Sequence, residues 1–219
     1  MSAVPAPVPA PAPAPDLPDE RLAAGTARLA TRHAGRFAAE TVQRLLADSC
    51  RRPAATAQVT THLAVPAERF GAERLDALAH VQGAPGIGPP RVPFVGSHNS
   101  GRSQPAAALP QHRAAGRATV SSAGTHPGSG AEPHVAQVLI EAGADPAGAF
   151  PKPLTDEVVR AADIVITRGC GDACPIVSGR CYPDWPVADP EGAALGAVRR
   201  IRDDTDHRIS DLLAGLPST

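Results

Sequence analysis

The chain has 219 residues, a formal net charge of −1 and only 3% aromatic residues, so its core must be built mainly from Ala, Val, Leu and Ile. It has no basic stripe that would indicate nucleic-acid binding and no run of about eighteen apolar residues that would predict a membrane span. Its four cysteines form no disulfide framework and residues 1–18 lack the features of a signal peptide, which predicts a protein of the reducing cytoplasm.

The N-terminal third is predicted to be helical after a disordered tail. Residues 1–18 are a Pro/Ala tract, which is typical of polyproline II conformation and disorder. Residues 19–82 carry three helical patterns; the second spans about 38–49, and the third begins near Pro66, a suitable first helical residue. Residues 58–65 between them predict an extended loop. The residues predicted to face inward are Leu22, Leu29, Val42, Leu45, Leu46, Phe70, Leu75, Leu78 and Val81.

A change of pattern follows this helical region. Residues 83–90 are rich in glycine and proline, which predicts a linker. Over residues 91–219, short apolar strands alternate with helical segments, and this order predicts an α/β domain in which helices flank a parallel sheet. An anion site is then expected at the carboxyl end of the first strand.

The first strand of this domain leads into a polar loop suited to an oxyanion. Val92, Phe94 and Val95 precede Gly-Ser-His-Asn-Ser-Gly-Arg-Ser at 96–103, and an alanine-rich segment follows. Successive backbone N–H groups and a helix N-terminus attract negative charge, and Arg102 can bind two oxygens of a tetrahedral anion. The residues predicted to bind the anion are Ser97, His98, Asn99, Ser100, Gly101 and Arg102.

This run resembles the Cys-x5-Arg-Ser loop of low-molecular-weight tyrosine phosphatases, and most of all the loop of the arsenate reductases in that superfamily. The family has a cysteine nucleophile six residues before the arginine, where this chain has Gly96. The resemblance also implies that Ser103 donates a hydrogen bond to the thiolate. Because glycine carries no sulfur, no covalent adduct can form at position 96. The adjacent Ser97 is a poor replacement, since an unactivated hydroxyl is a weak nucleophile.

The resemblance covers about residues 91–214. The three-helix region is similar to a small domain fused ahead of some actinobacterial arsenate reductases, and it is either a bundle without activity or a docking or dimerisation element. The matching segments are 121–125 (Ser-Ser-Ala-Gly-Thr, after the family's second strand), 150–155 (Phe-Pro-Lys-Pro-Leu-Thr), 162–167 (the third strand), 169–175 (Gly-Cys-Gly-Asp-Ala-Cys-Pro), 184–190 (Asp-Trp to Asp-Pro) and 199–213 (the last helix).

Asp189 has two interpretations. The resemblance makes it the family's general acid, and a carboxyl near an oxyanion has a raised pKa that suits a proton donor. Alternatively, Asp189 followed by Pro190 is a helix-start signal, with aspartate as the N-cap and proline at the first helical position.

The resemblance also makes Cys170 and Cys174 resolving cysteines, whose four-residue spacing would place them on one face of a helical turn. Without a first cysteine, their relay has no starting thiol. They can instead be idle thiols, while a metal site is disfavoured because no second cysteine pair accompanies them. Cys50 and Cys181 lie in no motif and are predicted to be incidental.

Further departures from the family pattern surround the site. Pro93 removes a ladder hydrogen bond if the first strand is central. Pro105 falls in the first turn of the following helix, and Pro110 falls inside it, where proline costs about 3 kcal/mol or more. Arg168 replaces a typical methionine. These changes have no compensation visible in the sequence.

The sequence therefore predicts an arsenate reductase-like protein that has lost its nucleophile and is inactive as written. Its predicted catalytic positions are Gly96, Arg102, Ser103, Cys170, Cys174 and Asp189. The expected ligands are arsenate or phosphate, and the resemblance implies a thiol donor such as thioredoxin or mycothiol, with no cofactor. The alternatives are a phosphotyrosine phosphatase, which the cysteine pair and the scarcity of aromatics disfavour, and a pseudoenzyme that binds an oxyanion or a partner.

Overall fold

The structure is a computed structural model that describes residues 19–54, 64–83, 88–99, 108–109, 116–128, 133–144, 150–168, 181–190 and 192–216. The Pro/Ala tail at 1–18 and residues 58–63 of the predicted loop lie outside these ranges, as do Pro105 and Pro110. In the described part of the chain, no helix combines the length and apolar character needed to cross a membrane.

Three helices precede the first strand, as the sequence predicts: α1 (Asp19–Arg32), α2 (Ala39–Ala54) and α3 (Ala64–Gln82). They share an apolar core built on Leu29, Val42, Leu46 and Leu75. Helix α3 begins at Ala64, so the end of the predicted extended loop is helical. Pro66 lies in the first turn, where a missing N–H costs no intrahelical hydrogen bond.

A parallel sheet follows, with strand order β2-β1-β3. Its strands are β1 (Arg91–Gly96), β2 (Thr119–Gly124) and β3 (Ile166–Thr167), and the helices after them are α4 (Pro133–Glu141), α5 (Asp156–Ala161) and α6 (Leu195–Gly215). The prediction of an α/β fold with a preceding three-helix region is confirmed.

The two faces of β1 contribute to different apolar clusters, because successive side chains of a strand point in opposite directions. Val92 and Phe94 are buried in the main core, which also contains residues of α4 and α6 such as Leu139 and Ile209. Val95 faces the other way and packs in a smaller cluster with Val165.

Ionic contacts attach the three-helix region to the α/β domain. The buried Arg74 of α3 binds Glu157 of α5, and it also donates to Asp48 of α2 at 2.8 Å. Lys152 binds Glu73 of α3. These contacts place α3 against the segment 150–161 that carries the Phe-Pro-Lys-Pro-Leu motif.

Pro93 lies in a central strand of the described sheet and shortens its neighbour. The carbonyls of Arg91 and Val95, which have the same orientation as Pro93, accept N–H groups from Asp163 at 2.9 Å and Arg168 at 2.8 Å. The missing donor of Pro93 therefore faces β3, which begins only at Ile166. The third strand predicted at 162–167 is thus reduced to two residues.

Most of the Ser-Ala-Gly-Thr motif lies within the second strand, although it was expected to follow that strand. Residues 121–124 lie within β2 and pair with β1, with Gly124 opposite Gly96, instead of following the strand. This pairing brings the end of the motif directly alongside the start of the predicted anion loop.

Candidate functional site

The predicted anion loop begins where β1 ends, at the carboxyl end of the sheet. Gly96 is the buried last residue of β1. Beyond it, the carbonyl oxygens of Gly96, Ser97 and His98 accept the N–H groups of residues 125, 126 and 128 at 3.1, 2.8 and 2.7 Å. These hydrogen bonds hold the first loop residues beside the segment after β2.

Asn99 is a buried loop residue with an unusual backbone conformation. It is 2% exposed and adopts a left-handed conformation with φ of 48°, which asparagine tolerates better than most residues. Its side-chain Nδ2 donates to the carbonyl of Lys152 at 3.2 Å. Because such a conformation persists only where the surroundings fix it, this hydrogen bond helps to define the shape of the loop.

Gly124 permits the loop to approach β2 closely. A Cβ atom at this position would lie 2.9 Å from the Asn99 Cβ and 2.9 Å from the Ser97 carbonyl oxygen. Its N–H donates to the Lys152 carbonyl at 2.9 Å, and its own carbonyl accepts from Leu154 at 2.8 Å. The sequence contained Gly124 and Lys152 only as parts of family motifs, and their direct contact with the loop became visible in the structure.

Several predicted site residues lie outside the described residues, so their roles stay predictions. They are Ser100, Gly101, Arg102, Ser103, Cys170 and Cys174. Gly96, Ser97, His98, Asn99 and Asp189 are described. Among the described residues, no group of three or more His, Cys, Asp or Glu side chains is arranged to hold a metal ion.

The helix-start interpretation of Asp189 is wrong. Helix α6 begins at Leu195 with Ala194 as its N-cap, and the carbonyl of Pro190 instead accepts the N–H of Ala193 at 3.0 Å in a turn. The local signal failed because Asp-Pro also fits a turn that precedes a helix by several residues. Asp189 is exposed, and its role as a proton donor stays a prediction.

The segment that carries Asp189 is anchored at the carboxyl end of β3. The hydroxyl of Thr167 donates to Asp184 at 2.7 Å, and the N–H of Trp185 donates to the Thr167 carbonyl at 2.8 Å. The Trp185 ring packs edge-on against Phe94 of β1, with ring centroids 5.6 Å apart. The Asp-Trp motif is thereby fixed to the same end of the sheet as Gly96.

Arg168 has a partner that the sequence did not reveal. Its side chain and that of Thr205 in α6 are fully buried, and the guanidinium Nη2 donates to the Thr205 hydroxyl at 2.9 Å. A buried charge needs such hydrogen bonds. Thr205 therefore supplies one of the hydrogen bonds that a buried guanidinium needs, which the sequence did not reveal.

Cys50 and Cys181 lie away from the carboxyl end of β1. Cys50 is in α2, and burial raises its thiol pKa to about 11. The exposed Cys181 pairs with Ile164, whose N–H lies against the carbonyl of Arg91 at the opposite end of β1. Neither position can supply the thiolate that Gly96 lacks.

Comparison with known proteins gives matches over both regions. Residues 22–79 match a family described as the N-terminal domain of protein-tyrosine-phosphatase-like proteins, and residues 91–217 match the low molecular weight phosphotyrosine protein phosphatase family. The chain is 32% identical over 127 residues to a glutaredoxin arsenate reductase of Synechocystis. The aligned region covers 57% of this chain and 96% of that protein.

Solved structures agree with this assignment. The thioredoxin-dependent arsenate reductase of Corynebacterium glutamicum is 42% identical, with a TM-score of 0.77 over 90% of this chain and 96% of that one. An arsenate reductase in its phosphate-binding state is 28% identical, with a TM-score of 0.51 over 58% of this chain and 99% of that one. The chain, with its arsenate reductase relatives and its N-terminal helical region, belongs to the low molecular weight phosphotyrosine protein phosphatase family.

Proposed function

We propose that this protein binds a tetrahedral oxyanion at the carboxyl end of β1 and is an arsenate reductase-type protein whose chemistry is blocked at its first step. The observation that carries the proposal is the loop that starts at Gly96 and is shaped by Asn99, Gly124 and Lys152. The carboxyl end of a parallel sheet is where such folds bind ligands. The similarity to a reductase over 90% of this chain favours arsenate chemistry over phosphatase chemistry.

The block follows from the electron balance of the reaction. Reducing arsenate to arsenite transfers two electrons to arsenic, and in the implied relay two thiols supply them as they join in a disulfide, while oxygen leaves as water. The first thiolate must form a bond to arsenic at position 96. Gly96 has no sulfur, so Cys170 and Cys174 have no adduct to resolve, and Asp189 has no leaving oxygen to protonate.

We propose the partners and the domain organisation from the sequence pattern and the similarity to arsenate reductases. The oxyanion is arsenate or phosphate, and a thioredoxin-type protein in the cytoplasm is the expected thiol donor, with mycothiol as a second donor to test. The domains are the tail at 1–18, the three-helix domain at 19–82, the linker at 83–90 and the family domain at 91–219.

The test restores the missing sulfur. Gly96 belongs to β1 and does not share the positive φ found at Gly116 and Gly143, so its backbone accommodates a cysteine. We expect arsenate-dependent oxidation of reduced thioredoxin by Gly96→Cys, and none by the parent or by the matched control Gly96→Ala. The new thiol should titrate well below the free value of about 8.5, because the loop stabilises negative charge.

Binding is measured separately from turnover. Phosphate that binds only the folded chain raises the free energy of unfolding by RT ln(1 + [L]/Kd), so it should raise the Tm of the parent, and Arg102→Ala should abolish this rise. Turnover by the parent that disappears in Ser97→Ala would overturn the block. Hydrolysis of a phosphate ester by Gly96→Cys without arsenate reduction would assign the protein to the phosphatases, and phosphate binding without any rescued turnover would indicate a pseudoenzyme.

A further inference from the structure

The chain's only lysine joins the three-helix region to the family domain. Lys152 is 4% exposed. Its Nζ lies 2.5 and 2.6 Å from the two carboxylate oxygens of Glu73 in α3, and 5.1 Å from the centroid of the Phe150 ring. A buried ammonium requires such a partner, so Glu73 fixes where the Lys152 side chain can lie.

The backbone of the same residue holds the predicted anion loop. The Lys152 carbonyl accepts two hydrogen bonds, from the Gly124 N–H at 2.9 Å and from the Asn99 Nδ2 at 3.2 Å. The N–H of Leu154 returns to the Gly124 carbonyl at 2.8 Å. The segment therefore forms a short extension of the sheet beside β2, and a shift of Lys152 moves the acceptor that holds Asn99.

We propose that Glu73 is a positioning residue for the oxyanion loop: it fixes Lys152, whose carbonyl holds Asn99 in its left-handed conformation. The inference rests on the proposed oxyanion-binding function of that loop. It gives the three-helix region a role at the site without contact with the anion. Removing Glu73 leaves the Lys152 ammonium in a buried position without its carboxylate, and this penalty disfavours the present placement of residue 152 and of its carbonyl.

A second ionic contact between the same regions serves as a matched control. Arg74, the next residue of α3, binds Glu157 of α5. This contact also attaches α3 to the family domain, but neither of its residues hydrogen-bonds the loop through the described contacts. Neutralising Glu157 therefore reports how far general attachment of the helices affects the site, and neutralising Glu73 reports attachment together with positioning.

The experiment uses the full chain and phosphate as the probe. Glu73→Gln and Glu73→Ala are compared with Glu157→Gln and Glu157→Ala by calorimetric titration with phosphate at a temperature well below each Tm. We expect at least about fivefold weaker phosphate binding in the Glu73 variants, a typical size for coupling between sites, and a smaller change in the Glu157 variants. If Glu73→Ala fails to fold, Glu73→Gln, which keeps the side-chain size, decides the comparison.

A second readout does not depend on phosphate binding. Hydrogen exchange of the Asn99 side-chain amide, followed by NMR in the absence of anion, should accelerate in the Glu73 variants and stay unchanged in the Glu157 variants. Equal effects in the two sets, or none in either, would overturn the positioning role. If the parent does not bind phosphate, the proposed function fails, while selective acceleration of Asn99 exchange still supports the positioning role.

Discussion

Removal of Arg74 should weaken the attachment of the three-helix region. Arg74 is 7% exposed, and its guanidinium binds Asp48 at 2.8 Å, the Ser49 hydroxyl at 3.0 Å and Glu157. Arg74→Met removes the charge but keeps an apolar stem over Phe70, whose ring centroid is 5.3 Å from the guanidinium carbon. The loss therefore reports the ionic contacts more than the packing.

The expected magnitude follows from what remains after the substitution. Breaking a buried ion pair on one side costs about 3–5 kcal/mol. Asp48 keeps Arg52 as a partner at 2.6 Å, whereas Glu157, which is 17% exposed, loses its arginine. Because Glu157 retains some contact with water, we expect a cost at or just below this range, about 2–3 kcal/mol. For a chain of this size that is a fall in Tm of about 4–12 °C.

The assay is urea unfolding followed by far-ultraviolet circular dichroism, with Arg28→Met as the control. Arg28 of α1 pairs with Glu68 of α3, but its side chain is 62% exposed, and exposed ion pairs contribute little to stability. A double variant, Arg74→Met with Glu157→Gln, should lose less than the sum of the two single changes, because no uncompensated carboxylate remains. If Arg74→Met costs no more than Arg28→Met, the buried network does not stabilise the interface.

Two further predictions concern the loop and the helical region. Gly124→Ala should destabilise the fold by about 1–3 kcal/mol and weaken phosphate binding, because the added Cβ would lie 2.9 Å from the Asn99 Cβ. The control Gly196→Ala, whose Cβ would meet nothing within 4 Å in α6, should instead stabilise the fold by about 0.5–1 kcal/mol. Equal Tm values for the two variants would contradict this prediction. Burial, aided by two neighbouring arginines and opposed by an aspartate, lowers the pKa of His33 below its ordinary 6.5, so the unfolded chain binds more protons just below that pH. The Tm should therefore be highest above about pH 6.5 and fall as the pH drops below it. His33→Gln should flatten this profile, and an equally steep fall in that variant would contradict the role of His33.

The sequence predicted the elements that depend on local pattern. The apolar run at 92–95 predicted β1, and the spacing of Leu29, Val42 and Leu75 predicted three helices with a shared core. The alternation of strands and helices predicted the parallel sheet and placed the loop at its carboxyl end. In each case the information lies within about one element of the chain, so pattern is sufficient.

The features that the sequence analysis did not predict depend on spatial relations that local pattern does not contain. The effect of Pro93 on β3 follows from which neighbour its missing donor faces. The hydrogen bond from Arg168 goes to Thr205, which lies on a distant helix. Asp189 and Pro190 match a helix start by residue type, yet the helix begins at Leu195. Glu73 and Lys152 are 79 residues apart, and no motif relates a surface-type glutamate on a helix to a lysine near the site.

The burial of Lys152 makes this chain suited to single-site amine labelling. Amine-reactive reagents modify side-chain amines in proportion to their exposure, and here one such side chain exists, 4% exposed and held between α3 and the family domain. While α3 packs against the family domain, the Lys152 amine should react slowly. When the two regions separate, the amine becomes exposed and should react. The rate of acetylation at Lys152, read by mass spectrometry, therefore measures how often the interface opens in the intact protein.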